Sequence, residues 1–424
     1  MKNRIKAILK TPMVIVFIVI LLFYTPFAIY SPGENRNRGV VTALGIDKTE
    51  QQQYEISLLT FIPTANQSYQ EKSSVISGKG DSVAEAVYNA QIAMGRTIGL
   101  AHAKTTIVNE ELLSEDVTST IDYLSRIASL PENTVFVCTN KSAKEMLEQS
   151  HDLVNDLGLK LEQIIAYNAN NLYVTDTSLE AFYKGYFSFV KSSIIGYLEI
   201  EDDTNMSEDN SEVSGAENTS EGQSEGTQGS ANSTSANGGA KNKHIVNQGQ
   251  AILLKEGKKV AVLDVEQLNG INLLNDKSVG QIIEIEDVKK EDQIFSMQYK
   301  VKTKKVLITT KFENGNPIYM AQLILGVELV EVDGEHDDLR INTEFSEITE
   351  DISTKLESKV KQQFTNSINI LRENDTDVIG IGRTFFQNDR KSLKKFIENL
   401  GGVEEADKFI DYVTFKLNVI VQPE

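Results

Sequence analysis

Few side chains in this sequence stand at spacings that could do chemistry. His102 and Lys104 lie two residues apart before a strand-like run and could hold an anion or exchange a proton, but no third partner is fixed beside them. A structural role is the simpler reading. His151, His244 and His336 are far apart, and none joins a His-x-x-x-His or His-Glu pair with metal-ligand spacing. Gly380-Ile-Gly382 lacks the third glycine and the preceding strand of a phosphate loop, so it reads as a turn or a helix start. Asp333, Glu335, Asp337 and Asp338 alternate like a calcium loop but lack the full pattern and its closing glutamate, which suits a solvated hairpin tip. The only cysteine, Cys138, sits in the apolar alternation Val135-Phe-Val-Cys138, the setting of a buried strand thiol rather than a nucleophile. There is no Gly-x-Ser-x-Gly elbow and no Cys/His arrangement. The expectation is a non-enzyme without metal or cofactor.

The elements that carry these residues begin with an apolar run from Met13 to Tyr24, extended to Tyr30 and preceded by Lys2, Arg4, Lys6 and Lys10. Basic residues on the near side hold that end in the cytoplasm, which sends the rest of the chain across the membrane. At about −0.3 to −0.6 kcal/mol per residue, Val14 to Phe23 alone favours insertion. No small-residue cleavage site follows, because Tyr30 occupies the second position after Ala28. A retained signal anchor over 13–30 is expected, after a cytoplasmic basic N-terminus at 1–12. The net charge of −19 argues against nucleic acid and against peripheral binding to anionic lipid.

From Glu201 to Ala240 the chain is Ser, Gly, Asn, Thr and acid, with nine acidic residues and no basic one. Such a composition cannot bury enough apolar surface to offset ordering entropy, so 201–243 is expected to be a disordered linker that lets the flanking halves move. Before it, runs rich in β-branched and aromatic residues predict strands at 40–46, 54–62, 104–108 and 135–139. Helices are predicted from Asp81 or Ser82 as N-cap, over 110–129, and over 142–149. This gives an N-terminal α/β domain at 36–150, followed by a small second domain at 151–200 with helices at 153–168 and 178–190 and a strand at 193–200. After the linker, 244–424 reads as a C-terminal α/β domain with strands at 249–254, 258–263, 281–285, 295–310, 318–332 and 412–421. Phe345, Ile348, Ile352, Leu356, Val360, Phe364, Ile368 and Leu371 recur at intervals of three and four. They mark an amphipathic helix of about 28 residues that should lie across a sheet.

Taken in order, these segments resemble the Ger(x)C family, the C subunits of bacterial spore germinant receptors. The resemblance starts at Arg38-Gly-Val-Val-Thr-Ala-Leu-Gly45-Ile-Asp47-Lys48. It runs through Gly80 and the helix after it, Leu100-Ala-His102-Ala-Lys104, Ile107-Val-Asn-Glu-Glu111, Ile121-Asp122-Tyr-Leu-Ser-Arg126, Pro131 and Ala143-Lys-Glu-Met-Leu147. Beyond the linker it continues with Gly249-Gln-Ala-Ile-Leu-Leu-Lys255, Gly257-Lys258, the long helix, and Asp377-Val-Ile-Gly380-Ile-Gly382. The ordered set is more specific than any one fragment.

The resemblance implies an α+β protein in which a single membrane anchor precedes three mixed α/β domains. It implies a non-catalytic receptor subunit on the outer face of the spore inner membrane, partnered by a membrane-embedded A subunit and a transporter-like B subunit. It supplies no catalytic residue. Gly45, Asp47, His102, Lys104, Asp122, Arg126, Asp377, Gly380 and Gly382 match family positions, and packing and ion pairing are the roles expected of them. One departure concerns attachment. Family members carry a lipobox cysteine where this chain has Tyr30-Ser-Pro-Gly-Glu-Asn-Arg36, so the uncut helix is expected to replace the lipid. The alternative from another class is a membrane-tethered extracellular sensor or solute-binding module, holding its ligand between domains.

Overall fold

The computed structural model describes residues 19–20, 38–62, 72–127, 129–153, 177–202, 243–246, 250–274, 279–290, 293–333 and 348–424. Apart from residues 19–20, the expected anchor lies outside them, as do the predicted helix at 153–168 beyond residue 153 and the acidic run after Asp333. Among the described residues no helix is long and apolar enough to cross a membrane.

The first sheet is built around β1 (Arg38–Lys48), whose side chains alternate between two buried faces. Leu44 and Ile46 join one core, while Ala43, Gly45 and Asp47 turn to the other. β2 (Tyr54–Ile62) and β3 (Lys72–Gly80) extend the sheet antiparallel on one side of β1. Helix α1 (Val83–Met94) starts where predicted, with Ser82 as N-cap accepting from Glu85 N, and stops at Gly95 in the left-handed region. A three-residue strand, β4 (Thr97–Gly99), then pairs with the start of β1, and β5 (Thr105–Asn109) pairs parallel to its centre.

The helix predicted over 110–129 is broken. A 3-10 turn covers Glu110–Ser114, and α2 (Thr118–Ile127) follows. Asp116 causes the break, because its Oδ1 accepts from Thr118 N at 2.9 Å and starts a new helix there. Val117 N instead donates to Gly257 O at 3.2 Å, a residue far along the chain. β6 (Val135–Thr139) and α3 (Ala143–Leu153) continue the alternation, with α3 on the Gly45 face of the sheet and α1 and α2 on the other.

α4 (Leu179–Tyr186) leads into β7 (Ser192–Asp202), which pairs parallel to β6. The linker segment then begins, and the far side of it returns to the same place. β8 (Lys243–Val246) runs antiparallel to the end of β7, with Asp202 opposite Lys243, and β9 (Ala251–Lys255) runs antiparallel to its start. β10 (Lys258–Leu263) completes a ten-strand sheet in the order β10-β9-β7-β6-β5-β1-β2-β3, with β4 and β8 at its margins. The expectation of two independently moving halves is therefore corrected, since the strands that flank the linker are hydrogen-bonded neighbours. Composition marks the acidic segment itself; it does not show whether the strands on either side of it dock beside each other.

After β10, α5 (Val265–Asn272) opens with a capping box between Asp264 and Gln267. β11 (Ile282–Lys290), β12 (Gln293–Glu313) and β13 (Asn316–Asp333) form an antiparallel meander, and the C-terminal β14 (Thr414–Pro423) pairs parallel to β13. The long amphipathic helix is present as α6 (Glu350–Glu373), 24 residues with Thr349 as N-cap. Its stripe of Ile352, Leu356, Val360, Phe364, Ile368 and Leu371 shares one core with Met297, Tyr299, Leu323 and Leu325 of the sheet. Short helices α7 (Ile381–Asn388), α8 (Arg390–Leu400) and α9 (Phe409–Tyr412) close the end of that core. The architecture is mixed α/β.

Candidate functional site

A cleft of about 590 Å³ opens where the first sheet meets the helices of the second part. One wall is the end of α4 with the turn 187–191 and the start of β7; the other is the end of α5 with the turn 377–380 and α7. Ser178 caps α4 through Ala181 N at 3.1 Å, and the chain leaves that helix through Lys191, whose φ is 51°. The second wall is set by Asp377. Its Oδ1 accepts from Gly380 N at 2.9 Å and Ile381 N at 2.8 Å, and its Oδ2 from Gly382 N at 2.7 Å.

Asp377 therefore caps α7 from four residues before its first residue, Ile381. Gly380 bridges the two with φ of 80°, a left-handed conformation that glycine adopts without strain. Asp377 is 8% exposed, and burial pushes the pKa of its carboxyl up while the three backbone N–H donors oppose the shift. With its lone pairs so occupied, it is no candidate base. Its own N–H donates to Ser192 Oγ at 3.0 Å, which joins the two walls, and Ser192 Oγ in turn donates to Val190 O at 3.3 Å.

Asp47 is the counterpart in the first sheet. Its Oδ1 accepts from Ala143 N at 2.7 Å, and its Oδ2 from Lys144 N at 2.9 Å and Ser142 Oγ at 3.0 Å, so it caps α3 from the neighbouring strand. Burial pushes this carboxyl up as well, against the same kind of donors. Gly45, on the same face two residues earlier, lets α3 approach; a Cβ there would stand 3.1 Å from Ala143 Cβ and from Leu147 Cδ1. Lys144 Nζ extends the cluster to Glu55 Oε1 at 3.0 Å.

The other family positions stand apart from both clusters. His102 and Lys104 are exposed in the approach to β5, where Lys104 N donates to Thr42 O and Lys104 O accepts from Val135 N. Asp122 and Arg126 form an ion pair one turn apart on α2 at 2.5 Å, with both side chains in solvent. Cys138 is fully buried in β6, and burial drives its thiol pKa far up. Among the described residues no three His, Cys, Asp or Glu side chains gather as a metal site.

Sequence reasoning passed over Lys184, Ser188 and Arg383, which line the cleft. None sits in a recognisable spacing. The only signal nearby was Asp377-Val-Ile-Gly380-Ile-Gly382, which marked the start of α7 but not the surface facing it.

The comparisons with known proteins agree with the order of these segments. Residues 34–200 match the family described as "Spore germination protein N-terminal domain". Residues 248–421 match that described as "Spore germination B3/ GerAC like, C-terminal". Among solved structures, the one titled "Crystal Structure of the GerBC protein" is similar over 90% of this chain and 96% of that one, at 12% identity and a TM-score of 0.46. No curated protein matches the chain. On the two family matches, which together span both sides of the linker, the chain belongs to the GerAC-like family of spore germination proteins.

Proposed function

We propose that this chain is a non-catalytic C subunit of a nutrient germinant receptor, acting in spore germination through protein contacts at the outer face of the spore inner membrane. The observation that carries the reading is the family match on both sides of the linker. The geometry supports the absence of catalysis: the two buried acids of the family segments spend their oxygens on helix caps, and the sole thiol is sealed in a strand. In this reading residues 13–30 hold the chain in the membrane, and the partners are the membrane-embedded A and B subunits. An affinity pull-down from detergent-solubilised spore membranes tests it. Two polytopic proteins resembling those subunits should co-purify; recovery of the chain alone from well-solubilised membranes would defeat the proposal. The anchor stands separately, and a mature N-terminus beyond residue 30 would remove it.

The cleft favours a second reading, a membrane-tethered sensor or solute-binding module. It lies between the first sheet and the helices of the second part, where a ligand would touch both.

A further inference from the structure

The charged groups that line the cleft are Lys184, Asp377 and Arg383. Two of them are already engaged. Asp377 accepts three backbone N–H groups, and Lys184 is ion-paired with Glu180 at 2.6 Å. Arg383, on the first turn of α7, has no hydrogen-bond or ionic partner among the described residues and stands at the solvent side of the cleft. An unpaired guanidinium is notable in a chain of net charge −19, where acids are plentiful. Its planar fork matches a carboxylate in two parallel hydrogen bonds.

The rest of the lining is suited to the body of such a molecule. Phe189, Val378 and Ile379 present apolar surface. The volume falls within the roughly 300–1,000 Å³ typical of small-molecule sites. We propose that the cleft binds a small amphiphilic carboxylate, with its carboxylate on Arg383 and its apolar body against Phe189, Val378 and Ile379.

This deepens the solute-binding reading by naming a ligand class. It is tested on the isolated chain, so its failure is distinct from failure of receptor assembly. The probe is 4-methylpentanoate, titrated calorimetrically into the full chain in detergent, with 4-methylpentanamide as the neutral isostere. The carboxylate should bind saturably, and the amide should bind about tenfold more weakly or worse. Arg383→Gln should weaken carboxylate binding by a similar factor and leave the amide unaffected. Lys391→Gln, an equal loss of charge on exposed α8, should bind like the parent. Equal affinity for carboxylate and amide, unchanged binding by Arg383→Gln, or no saturable binding of either 4-methylpentanoate or benzoate would overturn the proposal.

Discussion

Ser192 Oγ accepts the backbone N–H of Asp377 at 3.0 Å, although 185 residues separate the two in sequence. Ser192 is the first residue of β7 and 2% exposed; Asp377 opens the turn before α7. A single buried hydroxyl thus ties the first sheet to the helices that close the second core. Removing it leaves the Asp377 N–H with no acceptor in a dry place. Ser192→Ala should cost about 1–3 kcal/mol of unfolding free energy, read from urea transitions. A change under about 0.3 kcal/mol would show that the bond contributes nothing.

Asp377→Ala strips the acceptor from three N–H groups at once and should cost more than Ser192→Ala, on the order of 2–4 kcal/mol. The comparison should also depend on pH. Because burial raises the Asp377 pKa above 3.8, the folded state holds its proton more tightly than the unfolded chain does. This group's contribution to stability is largest below that value and declines as pH rises through the raised pKa. The gap between parent and Asp377→Ala should therefore narrow over that window, and a gap that widens would contradict the assigned shift.

At Gly45 the limit is space. Gly45→Val would drive branched methyl groups toward Ala143 and Leu147, where even a bare Cβ stands at 3.1 Å. About 1–3 kcal/mol of overpacking is expected. Pairing it with Leu147→Ala should recover part of the loss in a double-mutant cycle, whereas strict additivity would mean that the α3 contact is not the cause.

Replacing residues 203–242 with a short Gly/Ser turn should leave the fold intact. Asp202 and Lys243 already face each other across β7 and β8, so the segment closes a hairpin. Each halving of such a loop returns about 0.6 kcal/mol, so the melting temperature should rise slightly. Loss of folding on shortening would show that the segment carries contacts of its own.

Cys138 should resist 5,5′-dithiobis(2-nitrobenzoate) in the folded protein and react fully in denaturant, because it is fully buried and its thiolate is strongly disfavoured. Fast labelling under native conditions would mean that β6 opens readily.

Much of the secondary structure was legible along the chain. The Ser82 cap, the strand at Val135–Thr139 and the hydrophobic stripe of α6 follow from local preferences and periodicity, which neighbouring residues enforce by themselves. The break was missed because the local cap, Asp116 Oδ1 on Thr118 N, acts together with a tertiary one, Gly257 O drawing away the Val117 N–H that would have continued the helix. Asp47 and Asp377 were legible as family positions, yet their work as caps depends on donors from Ser142 to Lys144 in one case and on the fold of the 377–382 turn in the other.

By itself the sequence determined the apolar N-terminal run, the acidic segment without large apolar side chains, the amphipathic helix and the ordered segments that placed the chain in its family. These are properties of adjacent residues, and composition or period suffices to show them. Only the tertiary structure decided that β7 and β9 are partners across the acidic segment, that Ser192 meets Asp377, and that Arg383 faces a cleft. Those facts depend on which distant backbone groups satisfy one another and which surfaces are left uncovered, and no local pattern carries that information.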